Sequence, residues 1–451
     1  MNIFEKKKIQ YAKTVRILVW PNITFQEDLE KDSYIQVIKQ QIKLLNEIRN
    51  DLWFYLILPK PVPSLVFDNV TQYYVPFPTY PPAMRSHFDV VALRKYIGSD
   101  KDFDLIMSHL PEHSHALKNT LYNLTHHAPK FMGYCHWFDL DTVVRWPVHS
   151  FNQNIMGLLE YETCYLNTWH QKLLVLDQAK NLVNDKVLEQ LDKILEVQHL
   201  GVNAEDITEV NTNPERIIVF NHRPDTYKHY NDFLEVCDRL WNQRKDFKVW
   251  VPLAPSADRE YITVEKGNKQ WYYNKLNNCY MGVSPKQTYG GWSVATTDGL
   301  MNGVPYVMYN DTYYKELNPL ADFFTGHDEL LYLLNEYLDS LEKRNKVAQE
   351  SLEHSYTMLY RDRMDEMSFE INKLVSESGR IQESEKLDQI IDWIKTSKSI
   401  SKKEIMKQLG WGRGIKWTQY RQALLNHPNI FDVMDEYPKY CWRENNDQSI
   451  L

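Results

Sequence analysis

The sequence predicts an α/β fold: two doubly wound, Rossmann-like halves, then a small helical C-terminal module with a short hairpin. Three observations predict it. Short apolar runs alternate with helix-period segments from residue 15 to residue 375. A glycine-rich turn opens a short helix within Tyr289–Tyr306, YGGWSVATTDGLMNGVPY. A polar stretch, Ser376–Ser384 (SESGRIQES), separates these halves from a locally basic tail. Alternating strand and helix units imply parallel sheets that bind ligands at the carboxyl ends of their strands. A chain of 451 residues suits about three domains, with bounds expected at 1–205, 206–380 and 385–451.

Taken in order, Val15–Trp20 (VRILVW) is an apolar strand, Ser33–Ile48 has helical spacing and Leu52–Leu58 is the next strand. Phe103–Met107 and Lys130–Tyr134 follow, ending near His109 and His136, and Tyr161–Asn167 reads as the last strand of the first half. Lys180–Asn203, helical then polar, bridges to the second half. There, Arg216–Asn221 (RIIVFN) reads as a buried strand, Tyr230–Asn242 as a helix and Phe247–Val251 as a strand. Tyr306–Tyr309 is a further strand, and Asp328–Leu341 and Lys343–Val375 are helical. No repeat or low-complexity tract interrupts the pattern.

Two places carry chemistry. In Tyr289–Tyr306 a glycine pair, Gly290 and Gly291, precedes a helix bearing Thr297 and Asp298, which Gly303 closes. Backbone N–H groups of Gly291, Trp292 and Ser293 can approach an anion there, where the helix dipole favours negative charge. A carboxylate further along can accept the hydroxyls of a ribose. An ordinary turn, helix and glycine cap would look the same. The second place tips the balance toward a nucleotide diphosphate. Arg223 and Lys228 follow the strand Arg216–Asn221 and would meet a phosphate as a fork and a point charge.

Arg223 with Lys228, followed by Gly290-Gly291, Asp298 and Gly303-Val304-Pro305, resembles the donor-binding half of nucleotide-sugar glycosyltransferases of the GT-B type. The resemblance implies two Rossmann-like domains facing a cleft, over roughly residues 14–375. It implies that Arg223 and Lys228 neutralise the donor diphosphate and that Asp298 holds the donor ribose. The family's retaining members carry two glutamates eight positions apart. Asp298 stands at the second, whereas the first falls on Gly290, which leaves backbone amides in place of a carboxylate. The resemblance also implies that a strand-end histidine contacts the transferred sugar. His136, with Asp139 in HWFD, fits that position, and His109 ends the neighbouring strand. A neutral imidazole would hydrogen-bond a sugar hydroxyl, or act as a base if its pKa lies near working pH. A purely structural histidine is the alternative for each. Asn22 and Thr24, in the loop after the first strand, are candidate sugar or acceptor contacts.

Composition sets limits. Net charge is −8, so an affinity for nucleic acid must come from a local patch. Five scattered cysteines without C-x-x-C spacing suit a reducing compartment and give no zinc site. No metal ligands are singled out, no cofactor is expected beyond a UDP-sugar co-substrate, and a metal requirement stays open. The opening MNIFEKKKIQ lacks the apolar core of a signal peptide, and no run of eighteen apolar residues occurs. A cytoplasmic protein without a membrane partner is expected.

The tail is read as a separate module. Leu387–Ile394 is helical, Ser401–Glu404 is a capping box opening a helix over Lys402–Leu409, Lys416–Leu425 is a third helix, and Asn429–Trp442 is a hairpin. Three helices and a wing resemble a winged-helix module. Lys395–Arg421 holds eight basic residues against one acidic, and Lys402, Lys403, Lys407, Arg413, Lys416 and Arg421 are the candidate DNA contacts. A small protein-interaction domain with a solvated basic face is the alternative. A nucleotide-sugar enzyme with such a tail looks like the DNA glycosyltransferases of large tailed phages, acting on hydroxymethylated pyrimidines in duplex DNA. That resemblance implies a place in the host cell cytoplasm and evasion of host nucleases. A glycan, lipid or protein acceptor, or a non-catalytic nucleotide-binding DNA regulator, remains the competing expectation.

Overall fold

A computed structural model of the chain describes residues 14–23, 28–76, 88–97, 103–125, 129–136, 138, 140, 147–287, 291–375, 389–397, 399–401, 404, 405, 408, 424, 430–433 and 439–442. The chain divides into two compact units, Met1–Met364 and Asp365–Leu451.

The first unit holds two parallel sheets. One has seven strands: β1 (Val15–Trp20), β2 (Leu52–Leu58), β3 (Val70–Tyr74), β4 (Leu105–Ser108), β5 (Lys130–Cys135), β6 (Thr163–Leu166) and β7 (Leu195–Val197). Their order is β3-β2-β1-β4-β5-β6-β7. The other has six: β8 (Glu215–Val219), β9 (Lys248–Trp250), β10 (Ile262–Thr263), β11 (Cys279–Ser284), β12 (Tyr306–Tyr309) and β13 (Asp322–Phe324), ordered β10-β9-β8-β11-β12-β13. Both orders reverse direction beside the first strand of the sheet. They create switch points at β1/β4 and at β8/β11, where open parallel sheets take ligands. Strands β4 and β11 lie at those switch points and are buried at every residue. This explains their continuous apolar runs, since helices cover both faces.

Helix α1 (Ser33–Ile48) begins where the Asp32 carboxylate accepts from the N–H groups of Tyr34 and Ile35 at 2.9 and 3.3 Å. Helices α2 (Val90–Arg94), α3 (Pro111–Thr125), α4 (Pro147–Leu158), α5 (Trp169–Ala179) and α6 (Asp185–Ile194) complete the first half. In the second, α7 (Tyr230–Gln243) and α11 (His327–Asp339) pack on one face of the sheet through Phe233, Leu240, Leu330 and Leu334. Helices α9 (Val294–Met301) and α10 (Thr312–Leu317) pack on the other through Leu300, Tyr313 and Leu317, and α8 (Lys269–Asn277) adds Leu276 to the same core. Helices α12 (Leu341–Ser355) and α13 (Tyr360–Val375) follow. Arg344 of α12 is fully buried and donates to the carbonyls of Tyr280, Asn211, Cys279 and Gly303 at 2.6–3.3 Å, clamping the base of the second sheet.

Several expectations need correction. Tyr161–Asn167 is not the last strand of its half, because β7 adds a seventh strand inside the stretch read as a bridge. The long helix expected over Lys343–Val375 is two helices, broken by a turn at Tyr356–Met358. Strands β3, β10, β11 and β13 were not foreseen. Three of them lie at the margins of their sheets and are two to five residues long, too short for periodicity to register.

In the second unit, residues 389–397 are helical, and β14 (Ser399–Ser401), β15 (Ile430–Val433) and β16 (Lys439–Trp442) form an antiparallel sheet ordered β14-β16-β15. The expected hairpin is therefore present, joined by a strand the sequence did not announce. The capping box is also present. Glu404 accepts from the N–H and Oγ of Ser401 at 2.9 and 2.6 Å, while Ser401 Oγ accepts from the Glu404 N–H at 3.3 Å. Lys402, Lys403, Lys407, Arg413, Lys416 and Arg421 lie outside the described residues. No helix among the described residues is long and apolar enough to cross a membrane.

Candidate functional site

The second sheet's switch point brings Arg223 and Lys228 together. Arg223 follows the carboxyl end of β8 and is exposed, with no hydrogen bond or ion pair to a described residue. Lys228 sits in the turn before α7, and its Nζ donates to Gln287 Oε1, in the loop after β11. Burial, reinforced by the Arg223 charge, pushes the Lys228 ammonium down to about 8. Two cations held close, one of them largely desolvated, favour an anion in the space they share. Gln287 is fixed in turn, because its amide donates to Tyr314 Oη at 2.7 Å and that hydroxyl donates to Pro285 O at 3.0 Å. Neither Gln287 nor Tyr314 carries a motif, and the sequence singled out neither.

Gly291, Trp292 and Ser293 lead into α9; Gly290, with residues 288 and 289, lies outside the described residues. Ser293 caps α9, its Oγ accepting from the Thr296 N–H at 3.3 Å. Thr297 is buried and its hydroxyl donates to Ser293 O at 2.9 Å, one turn back along the helix. Gly303, at φ 69, ends the helix in the left-handed conformation expected of a glycine cap.

Asp298 is reached by the Tyr272 hydroxyl at 3.4 Å, and burial raises its carboxyl to about 7. It is joined to the cationic strand end through Asn221. The Asn221 amide donates to Tyr272 Oη at 2.9 Å and to Ala295 O, in the first turn of α9, at 2.6 Å. Asn221 Oδ1 accepts from Tyr306 Oη at 3.0 Å. Two glycines make room for that tyrosine. A Cβ on Gly282 or Gly299 would come within 2.3 and 2.0 Å of the Tyr306 ring. Strand β8, helix α9 and strand β12 are thereby locked in one register around the site.

In the first half, His109 and His136 end β4 and β5 and gather around Tyr34 of α1. The Tyr34 ring centroid lies 4.6 Å from that of His136 and 5.9 Å from that of His109. The His109 Nδ1–H donates to Tyr134 O at 3.0 Å, which leaves Nε2 as the acceptor of a neutral ring. His109 Nε2 and His136 Nε2 are buried without a hydrogen-bond partner among the described residues, and Tyr34 Oη is buried with Asn22 and the His136 backbone beside it. Burial lowers His109 to about 4, and burial with the neighbouring His109 lowers His136 to about 3. Both rings are therefore neutral near pH 7. A neutral imidazole is the form that hydrogen-bonds a hydroxyl group. Two orphaned imidazole nitrogens close to one phenol are matched to hydroxyl groups. Tyr34 had no sequence signal beyond its place in the first turn of a helix. Asn22 follows β1 at the switch point, while Thr24 and Asp139 lie outside the described residues.

The two halves meet at Glu316 of α10. Its carboxylate accepts from the N–H groups of Trp169 and His170 at 2.7 and 2.8 Å, at the start of α5, and from His199 Nε2–H at 3.2 Å. Thr168 Oγ1 caps the third free N–H of that helix, on Gln171, at 3.0 Å. His199 in turn stacks on Trp292, with centroids 5.3 Å apart and an interplanar angle of 26°. Among the described residues, no three His, Cys, Asp or Glu side chains gather as ligands for a metal.

No family model and no curated protein sequence matches this chain. Solved structures do. Sucrose-phosphate synthase from Thermosynechococcus elongatus superposes with a TM-score of 0.59 at 9% identity, covering 80% of this chain and 98% of that one. The E. coli trehalose-6-phosphate structure bound with UDP-2-fluoro glucose gives 0.57 at 11% identity, over 80% and 99%. HepE of Anabaena, in complex with UDP and glucose, gives 0.54 at 9% identity, over 78% and 98%. At such identities the likeness establishes the fold, the two-domain α/β arrangement of GT-B glycosyltransferases.

Proposed function

We propose that this protein is a glycosyltransferase that takes a sugar from a UDP-sugar, with residues 206–380 as the donor half and 1–205 as the acceptor half. The observation that carries the reading is the cation pair at the β8/β11 switch point: Arg223 after β8, and Lys228, pushed down to about 8 and bonded to Gln287 in the loop after β11. It is supported by the GT-B fold and by two similar structures that hold UDP or a UDP-sugar analogue. In the reaction, the bond from the anomeric carbon to the β-phosphate oxygen breaks and a bond to an acceptor hydroxyl oxygen forms. The hydroxyl proton leaves with the diphosphate or solvent. Arg223 and Lys228 stabilise the charge that grows on the leaving diphosphate. Asp298 accepts the ribose hydroxyls, and Gly290, Thr297 and the amides of Gly291, Trp292 and Ser293 complete the donor-binding set. His136 and His109 offer their unpartnered Nε2 atoms to sugar hydroxyls beside Tyr34, and Asn22, Thr24 and Asp139 are further candidate sugar or acceptor contacts.

We further propose that the acceptor is a hydroxymethylated pyrimidine in phage DNA, held by the tail (385–451). The basic run Lys395–Arg421 supports this, as does the strand order β14-β16-β15, in which the strand after the first helix joins the return strand of a hairpin as in a winged helix. The target base would leave the stack to reach the donor. A carbohydrate acceptor is the second reading, favoured by the sucrose-phosphate synthase likeness. Incubation with labelled UDP-sugars and hydroxymethylated DNA, unmodified DNA or glycans separates the readings. Label on hydroxymethylated DNA supports the first, label on glycan alone the second, and no transfer despite UDP binding supports a nucleotide-binding regulator.

A further inference from the structure

The bracing of the donor loop comes from the opposite half of the first unit. Gly291 backs onto Gln171 of α5, where a Cβ would lie 3.0 Å from Gln171 Oε1. Trp292 lies against the imidazole of His199, in the segment that follows β7. His199 cannot swing freely, because Glu316 receives its Nε2–H while also receiving two N–H groups of α5. Hydrogen bonds from His199 and from the two amides hold the Glu316 carboxyl below its usual range, against the upward push of burial. A carboxylate anchored to a helix N-terminus is a rigid base for the ring it orients.

We propose that His199 is a positioning residue for the donor loop. Oriented by Glu316, it braces Trp292 and so fixes the Gly291–Trp292–Ser293 backbone where it faces the donor diphosphate. The inference rests on the donor-site reading above, and it assigns roles to two residues outside any donor-binding motif, His199 and Glu316. It also makes the donor loop sensitive to how the two halves meet, since His199 and Gln171 belong to the first half and Trp292 and Glu316 to the second.

The test separates ring from hydrogen bond in the full-length protein. His199→Ala, His199→Phe, His199→Gln, Trp292→Ala and the His199→Ala/Trp292→Ala double variant are compared by UDP calorimetry, donor KM and kcat, and thermal midpoint. Loss of an aromatic stack predicts about a three- to tenfold weaker UDP affinity for His199→Ala, with the donor KM rising in step and the thermal midpoint little changed. His199→Phe restores the affinity and His199→Gln does not. The double variant is no worse than either single one, because both remove the same stacking pair. Restoration by glutamine but not phenylalanine, or additive losses in the double variant, overturns the proposal. So does unchanged UDP affinity in His199→Ala when Arg223→Ala does weaken UDP. If neither variant changes UDP affinity, the donor-site reading itself falls and this inference with it.

Discussion

Replacing Arg223 by alanine probes the anion site through two independent quantities. Arg223 is exposed at the end of β8, so its loss removes a charge without opening a core cavity. A charge-assisted hydrogen bond to phosphate contributes about 1.5–3 kcal/mol, so UDP affinity should weaken about ten- to 150-fold. The second quantity is protonation of Lys228. Its pKa is about 8, lowered first by burial and then by the Arg223 charge. In the free protein Lys228 is charged below that value and increasingly neutral above it. A bound diphosphate favours the charged form, so UDP binding one pH unit above 8 takes up a proton, and UDP affinity falls as pH climbs through that range. Removing Arg223 lifts one of the two depressing influences. The Lys228 pKa then rises, and the proton uptake shrinks along with the affinity. Calorimetry in two buffers of different ionisation heat reads both quantities, and uridine, which has no phosphate, serves as control. Unchanged UDP affinity, or an equal loss for uridine, refutes the assignment.

Asp298, at about 7, must lose its proton before its carboxylate can accept both ribose hydroxyls. UDP affinity should therefore drop as pH falls below that value, and Asp298→Asn should abolish this pH dependence while sparing pyrophosphate binding, all read by the same titrations. Tyr34→Phe removes a buried hydroxyl whose neighbours are Asn22 and the His136 backbone, so the thermal midpoint should change little, by no more than about 1 kcal/mol of stability. Its kcat/KM for transfer should fall nevertheless; a loss of stability without a loss of rate contradicts the hydroxyl-binding role. Gly299→Ala drives a methyl into the Tyr306 ring and should cost about 1–3 kcal/mol in denaturant unfolding. Deleting residues 385–451 should leave UDP binding intact and raise the acceptor KM on long duplex DNA. Neutralising Lys402, Lys403 and Lys407 should flatten the salt dependence of DNA binding, by about 0.9 in log–log slope for each phosphate no longer neutralised; a tail fragment that ignores DNA at low salt argues for the carbohydrate acceptor.

The sequence by itself determined the class of fold and the two cations. Val15–Trp20, Leu52–Leu58 and Tyr306–Tyr309 coincide with strands β1, β2 and β12, because short, nearly continuous apolar runs with aromatic and β-branched residues suit strands covered on both faces of a parallel sheet. The strand-end place of Arg223 and Lys228 and the glycine-capped helix with Asp298 were legible because an apolar run, its flanking charges and a cap glycine are all displayed by local sequence. Tertiary structure alone decided the rest. Two- and three-residue strands such as β10 and β13 exist only because a neighbouring strand supplies their hydrogen bonds. The long helical pattern after Lys343 broke where Leu359 bridges to Val202, a pairing between the second half and the first that no window of residues contains. The protonation states of His109, His136, Lys228 and Asp298 followed from burial, which depends on what the whole fold brings around a side chain. Glu316, His199 and Trp292 met for the same reason: they come from separate elements of two different halves, and only the packing of one half on the other makes them neighbours.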